Sequence, residues 1–255
     1  MSPVSHRRGC AVWKAEGPDG AFAVKYGYGA GADAVTREAA ALAALPGYAI
    51  VAAGRRPGGA WCVAPWYEGV PCWSPLAPLR ARQQKTLPAE AVALCQETAR
   101  LHELGWIHGD IQPAHVIHTR LGTRLIDFGW ARRAVRTPDR PAYRGGISHL
   151  TAPETARAIA QGRQPAASTC STDVFALAGT LWACLAGRWP VDYRASGLPP
   201  HHTPEQRRAV LATRSFRLTG PLPHTALQDL LRTALLSAPA DRPSAAELAG
   251  QLGRL

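Results

Sequence analysis

The hydrophobic pattern of this chain is mostly strand-like in its first third and helical from there on, and that change limits the folds open to it. Up to about residue 70 the apolar residues come in short β-rich runs. "CAVWKA" and "AFAVKYGY" are separated by "EGPDG", and "AIVAAG" and "AWCVAPWYEG" by "RRPGG". Gly, Pro and Asp between such runs predict two hairpins. Between the hairpins lies an Ala/Leu stretch, "ADAVTREAAALAAL", with apolar residues at helical spacing and a stop at Pro46 and Gly47. A Pro-rich stretch, "GVPCWSPLAPL", then marks a boundary. From Leu87 the spacing becomes helical and predicts helices from Ala89 to Leu104, around Asp173 to Ala186, from Thr225 to Ser237 and from Ser244 onward. The expectation is an α+β chain with a small β-rich N-lobe over residues 1–70, carrying one helix, and a larger helical C-lobe over residues 71–255. With 255 residues and 46% hydrophobic content there is enough apolar material for one bilobal domain.

Composition removes several function classes. The six cysteines, Cys10, Cys62, Cys72, Cys95, Cys170 and Cys184, show no CxxC pair and no spacing that suggests a disulfide frame or a zinc knuckle. The opening "MSPVSHRRGC" has no apolar core of a signal peptide. The greasiest run, Val174 to Gly187, falls short of the roughly 20 residues that span a bilayer. These features predict a cytoplasmic protein with no membrane partner. The formal charge of +11 is carried by arginine, because the only lysines are Lys14, Lys25 and Lys85. A basic surface favours polyanions such as nucleotide phosphates or an acidic peptide. No DNA- or RNA-binding motif is present, which argues against nucleic acid.

Seven short motifs occur in a fixed order. Lys25 lies in "AVK" on a predicted strand and Glu38 in "REAAAL" on the helix that follows. "LHELGWIHGDIQPAHVI" carries Asp110, "LIDFGWA" carries Asp127, "TAPE" ends at Glu154, "STDVFALAGTLWACLAGRWP" carries Asp173, and "PADRPSAAEL" supplies Arg242. This order resembles the protein kinase superfamily over nearly the whole chain. The resemblance implies ATP and Mg2+ as cofactors. It implies that Lys25, paired with Glu38, contacts the nucleotide phosphates, that Asp127 holds magnesium, and that Asp110 orients the acceptor hydroxyl as a base. It also implies that Asp173 ties down the loop of Asp110 and that Arg242 pairs with Glu154.

Departures from the family pattern bear on the substrate. The residue between His108 and Asp110 is Gly109 instead of arginine. "HGD" followed by "QP" looks like the aminoglycoside and choline kinase side of the superfamily, and it predicts competence without activating phosphorylation. Gln112 and Ile147 stand where ordinary Ser/Thr kinases carry lysine and threonine at the acceptor. His115 replaces the metal-binding asparagine and is the candidate second metal contact, while His108 is expected to pack the loop and His118 to face solvent. A zinc cluster of these histidines is the competing reading. No G-x-G-x-x-G loop precedes "VWKA", where only Arg7, Arg8 and Gly9 stand, and the first strand of the usual sheet is expected to be missing or very short. The two guanidinium groups are candidate substitutes for the loop's backbone phosphate donors, against a plain frayed terminus.

The combination is similar to the stand-alone kinases of ribosomally made peptides of lanthipeptide and thioamitide type. There a kinase phosphorylates Ser or Thr and a separate lyase eliminates the phosphate. That resemblance implies an acidic or leader-bearing peptide substrate, docked on arginines such as Arg132, Arg133, Arg136 and Arg144, and a lyase partner. A small-molecule hydroxyl kinase and a pseudokinase scaffold remain open beside it.

Overall fold

The computed structural model describes residues 1–72, 87–135, 146–163, 166, 168–222 and 225–255. The chain divides into two units, Met1–Glu68 with Ile126–Arg132, and Gly69–Leu125 with Arg133–Leu255.

The first unit is built on a five-stranded antiparallel sheet. Its strands β1 (Ser2–Arg7), β2 (Cys10–Gly17), β3 (Gly20–Tyr28), β4 (Ala52–Arg56) and β5 (Gly59–Pro65) are ordered β1-β2-β3-β5-β4, with helix α1 (Ala30–Ala44) between β3 and β4. Both predicted hairpins are present, although β4 starts three residues into "AIVAAG" and runs through Arg55 and Arg56 to a turn at Pro57 and Gly58. The expected loss of the first strand is overturned. Ser2–Arg7 pairs with β2 down to Arg7 opposite Cys10, and every one of its residues is exposed. An edge strand with no buried face leaves no hydrophobic alternation to read, so the sequence pattern missed it. Arg8 and Gly9 form the turn with φ of 52° and 77°, the two positive values of a tight two-residue hairpin.

That turn, the end of β3 and the start of α1 are knit together. The Tyr28 N–H donates to the Gly9 carbonyl at 2.8 Å. A side chain on Gly31 would run into the Gly9 carbonyl, and one on Gly27 into the Gly31 carbonyl. Only glycine permits this approach. Small side chains continue it: Ala32 and Val35 of α1 pack on Ala60 and Cys62 of β5. The returning segment Ile126–Arg132 is held on the same unit. Phe128 is fully buried and meets the Tyr48 ring edge-on at 4.9 Å, and Arg37 Nε donates to the Gly129 carbonyl at 2.9 Å.

The second unit is mainly helical. Its helices are α2 (Leu87–Glu103), α3 (Pro153–Ala160), α4 (Cys170–Ala186), α5 (Pro204–Thr213), α6 (Thr225–Leu236) and α7 (Ala245–Leu252). The four helices expected from periodicity are all here, and α3 and α5 were not anticipated. Helix α4 is the core, with Phe175, Leu177 and Trp182 fully buried, and Leu231 and Leu235 of α6 are buried as well. Burying such side chains contributes about 1.5–3 kcal/mol each, which offsets the low helix propensity of the β-branched Thr172, Val174 and Thr180 within α4. A small sheet of β6 (Val70–Pro71), β8 (Val116–Thr119) and β9 (Gly122–Leu125) lies in the same unit, as does the two-residue strand β7 (Trp106–Ile107). Most of the Pro-rich boundary stretch, and Arg136 and Arg144, lie outside the described residues. Among the described residues no helix is long and apolar enough to cross a membrane.

Candidate functional site

In the first unit, central strand β3 places Lys25 between Val12 of β2 and Cys62 of β5. Its Nζ donates to both Glu38 carboxylate oxygens at 2.8 Å and lies 3.4 Å from Asp127 Oδ1. Burial on its own lowers the pKa of such an amine. Here the carboxylates of Asp127 and Glu38 outweigh burial, and the ammonium is held above its usual range. The sequence-predicted trio of Lys25, Glu38 and Asp127 is therefore brought together. Glu38 is buried, whereas the Asp127 side chain is 43% exposed. Asp127 has φ of 63°, a left-handed conformation that Asp tolerates better than most residues. The neighbours Phe128 and Gly129, anchored on Tyr48 and Arg37, fix the segment in that posture. Arg37 is a positioning residue that sequence reasoning missed, because its partner Gly129 is remote in the chain.

Arg7, Arg8 and Gly9 sit at the end of the β1–β2 hairpin. Arg7 and Arg8 are exposed, and the frayed terminus does not hold, since both belong to the ordered strand and turn. Cys10 begins β2 two residues before Val12, the partner of Lys25. Its thiol pKa is raised by burial and next by the charge of Asp127, so this end of the hairpin lies within electrostatic reach of the trio.

In the second unit the loop after β7 carries Asp110. Its anchor is Asp173, in the first turn of α4, where the helix dipole favours a carboxylate. Asp173 is 2% exposed and accepts from the His108 N–H at 2.7 Å and the Gly109 N–H at 2.9 Å, with His102 Nε2 at 3.2 Å. The expected tie between Asp173 and the Asp110 loop is present. Gly109 has φ of 77°, in the region that favours glycine. His108 is fully buried and its Nδ1 accepts from the Asp110 N–H at 3.3 Å, as its packing role required. His115 Nδ1 donates to the Asp110 carbonyl at 2.9 Å, and the same nitrogen is 3.5 Å from Asp110 Oδ2. With Nδ1 used as donor, Nε2 carries the lone pair, the arrangement a metal-ligating imidazole adopts.

Beside Asp110 a small cleft of about 30 Å³ is lined by Ile147, Leu150, Thr151, Thr155 and Ser168, and among its described lining residues only Asp110 and Asp173 bear charge. Glu154, at the start of α3, forms the predicted pair with Arg242, at 2.7 Å and 3.2 Å. His118 departs from expectation. It is half-buried on β8 and bonded to Thr123, in contact with Cys72, which follows the paired strand β6. Among the described residues no group of three or more His, Cys, Asp or Glu is disposed to hold a metal ion, which leaves the zinc reading without a cluster.

An α+β chain with this sheet, this lysine–glutamate pair and this carboxylate-anchored loop has the organisation of a protein-kinase-like fold. No family model matches the chain. Among curated proteins it is similar to the serine/threonine-protein kinase PkaB of Streptomyces coelicolor, 30% identical over 191 residues, 68% of this chain and 41% of that protein. It is also similar to the serine/threonine-protein kinase PknK of Mycobacterium tuberculosis, 29% identical over 160 residues, 59% of this chain and 13% of that protein. Atypical protein kinase C of Drosophila melanogaster is 29% identical over 168 residues, 63% of this chain and 26% of that protein. The chain thus spans less than half the length of each of these relatives. The matches support a protein-kinase-like superfamily and, in general terms, a phosphotransferase.

Proposed function

We propose that this chain is an ATP- and magnesium-dependent phosphotransferase acting on a hydroxyl, with a Ser or Thr of a ribosomally made precursor peptide as acceptor. A separate lyase then eliminates the phosphate. The observation that carries the phosphotransferase reading is the Lys25, Glu38 and Asp127 trio. One ammonium against two carboxylates leaves a net negative charge, and Asp127 offers a hard oxygen, so the residues fit a divalent cation. Asp127 would hold a magnesium ion, which would supply charge neutralisation to the phosphates.

The protein's own groups do the positioning. Lys25, kept charged by its two carboxylates, binds phosphate oxygens, and Glu38 sets the direction of its Nζ. Asp110, its loop fixed through Asp173 and His115, orients the acceptor hydroxyl and receives its proton. The acceptor oxygen bonds to the γ-phosphorus while the β–γ bridging oxygen leaves with ADP. His115 Nε2 is the candidate second metal contact, and Arg7, Arg8 and the backbone at Gly9 are candidate phosphate donors. Holding reactants in line supplies most of the acceleration in such transfers. A peptide acceptor is supported by the Glu154–Arg242 pair, which belongs to the segment where the chain resembles protein kinases and not small-molecule kinases.

Mg-ATP is expected to raise Tm by mass action in the wild type and not in Asp127→Ala, whereas Asp110→Asn keeps the rise and loses turnover by about 10²- to 10⁴-fold. An equal rise in wild type and Asp127→Ala removes the nucleotide assignment. Mass spectrometry of a precursor peptide with Mg-ATP should show added phosphate, and with the lyase a loss of water. Phosphate found only on free small molecules would replace the peptide reading with a metabolite kinase.

A further inference from the structure

None of the described cysteines is in a disulfide, and two of them, Cys72 and Cys184, form with His118 a cluster that phosphoryl transfer does not use. Antiparallel register builds half of it. Val70 lies opposite His118 and Pro71 opposite Ile117, and the Cys72 N–H donates to the Val116 carbonyl at 3.0 Å. Cys72 and His118 are therefore diagonal neighbours on one face of the β6–β8 pair. Helix α4 brings Cys184 to the same place, and the Cys72 thiol is hydrogen-bonded to both partners. His118 Nδ1 is engaged by Thr123 Oγ1 at 3.1 Å, which leaves the other ring nitrogen for the sulfur. Cys72 is buried, while Cys184 and His118 are half-buried, so a small reagent has a route in from their side.

The surroundings favour the charged pair. The hydrogen bond from Cys184 pulls the Cys72 pKa down, burial opposes it, and the hydrogen bond and charge of His118 add to the lowering, with Glu90 of α2 acting the other way; the thiol ends at about 6. Burial lowers the His118 pKa, but Cys72 and Glu90 outweigh it and the imidazole ends above its ordinary value. A thiol of lowered pKa thus lies beside an imidazole of raised pKa, with a second thiol in contact.

We propose that Cys72 and Cys184 are a peroxide-sensitive thiol pair, in which Cys72 is oxidised first and Cys184 closes the product into an intramolecular disulfide. The Cys72 thiolate attacks one peroxide oxygen and the O–O bond breaks. The departing hydroxide takes a proton from His118 and leaves as water, and Cys72 becomes a sulfenic acid. The Cys184 sulfur then attacks the Cys72 sulfur. The S–S bond forms as the sulfenic hydroxyl leaves with the Cys184 proton as a second water. The two thiols lose two electrons together and the peroxide gains them.

The test uses the full reduced chain with hydrogen peroxide at neutral pH. Intact mass should fall by two hydrogens, and peptide mapping without reductant should find Cys72 joined to Cys184. In Cys184→Ser the reaction should stop at a dimedone-trappable sulfenic acid on Cys72. The wild-type rate should rise with pH around a midpoint of about 6, and His118→Gln should move that midpoint toward the ordinary thiol value of about 8.5. Should His118→Gln not fold, the wild-type pH profile and the map decide alone. Oxidation that begins at Cys10, Cys62, Cys95 or Cys170, a linkage to any other cysteine, or a wild-type midpoint in the ordinary thiol range would overturn the proposal.

Discussion

A buried ammonium ordinarily loses its proton more easily, and Lys25 does the opposite because Asp127 and Glu38 stand against it. Its folded pKa lies above the unfolded value. With both carboxylates ionised, the lysine's share of this stability is thus complete below the unfolded lysine range and is lost as pH rises through the folded value. This contact was legible through the family resemblance, which pairs the lysine of "AVK" on a strand with the glutamate of "REAAAL" on the next helix. His118 was not legible, because Cys72, its hydrogen-bonding partner, comes from a distant part of the chain and shares no spacing signal with it. His115 invites a direct experiment. Its Nδ1 serves the Asp110 carbonyl, so any metal contact falls to Nε2, a softer donor than an asparagine oxygen. His115→Asn is expected to raise the ratio of magnesium- to manganese-supported turnover severalfold. Unchanged rates with both ions would make His115 only the prop of the Asp110 carbonyl.

Elements show the limits of pattern reading more sharply. Helix α5 buries only Leu211, so no apolar stripe announces it, although "TPEQ" contains its capping box of Thr203 and Gln206 and a proline in the first turn. Two predictions concern how elements are joined. The Arg242 side chain is fully buried and donates to Glu154 and to the Ser171 carbonyl, while Glu154 is 26% exposed. Glu154→Ala leaves a buried guanidinium without its counter-charge and should cost about 3–5 kcal/mol. Arg242→Met fills much of the same volume, leaves a carboxylate that water can reach, and should cost less. Urea midpoints give the order, and a reversed order would show that packing outweighs charge at this joint. The second joint is His149. Its ring stacks on Trp189 at 4.7 Å, its Nε2 accepts from Arg207 at 2.8 Å, and Tyr193 and His202 complete the surroundings. Burial, then the charges of Arg207 and His202, depress its pKa to about 3. Stability from the neutral ring is therefore complete above the unfolded pKa of about 6.5 and is lost as pH falls from there toward the folded value. His149→Gln should flatten the wild-type loss of stability between those two pH values. Parallel slopes in the two proteins would mean that His149 titrates normally.

At the scale of the whole molecule, the α+β class followed from the shift from mostly strand-like to helical spacing, because sheet and helix faces each need their own spacing. The return of Ile126–Arg132 to the first unit could not follow from it, since periodicity describes neighbours along the chain only. The excess of positive charge bears on the proposed acidic leader. Arg133 already caps the Leu104 carbonyl at 3.2 Å and lies over the Trp106 ring at 4.7 Å, so its neutralisation should lower stability more than it weakens peptide binding. Peptide phosphorylation should nonetheless fall as salt shortens the Debye length from about 30 Å to about 8 Å, through a rising KM at nearly constant kcat. A salt-independent KM would remove the charged leader from the scheme. The posture of Lys25 has one more consequence, for chemical labelling. An acylating ester needs a neutral amine, and this chain offers only three lysines in all. Held protonated between two carboxylates, Lys25 stays silent to such a reagent while its sheet is intact and takes the label only when that sheet opens, which makes it a clock for local unfolding.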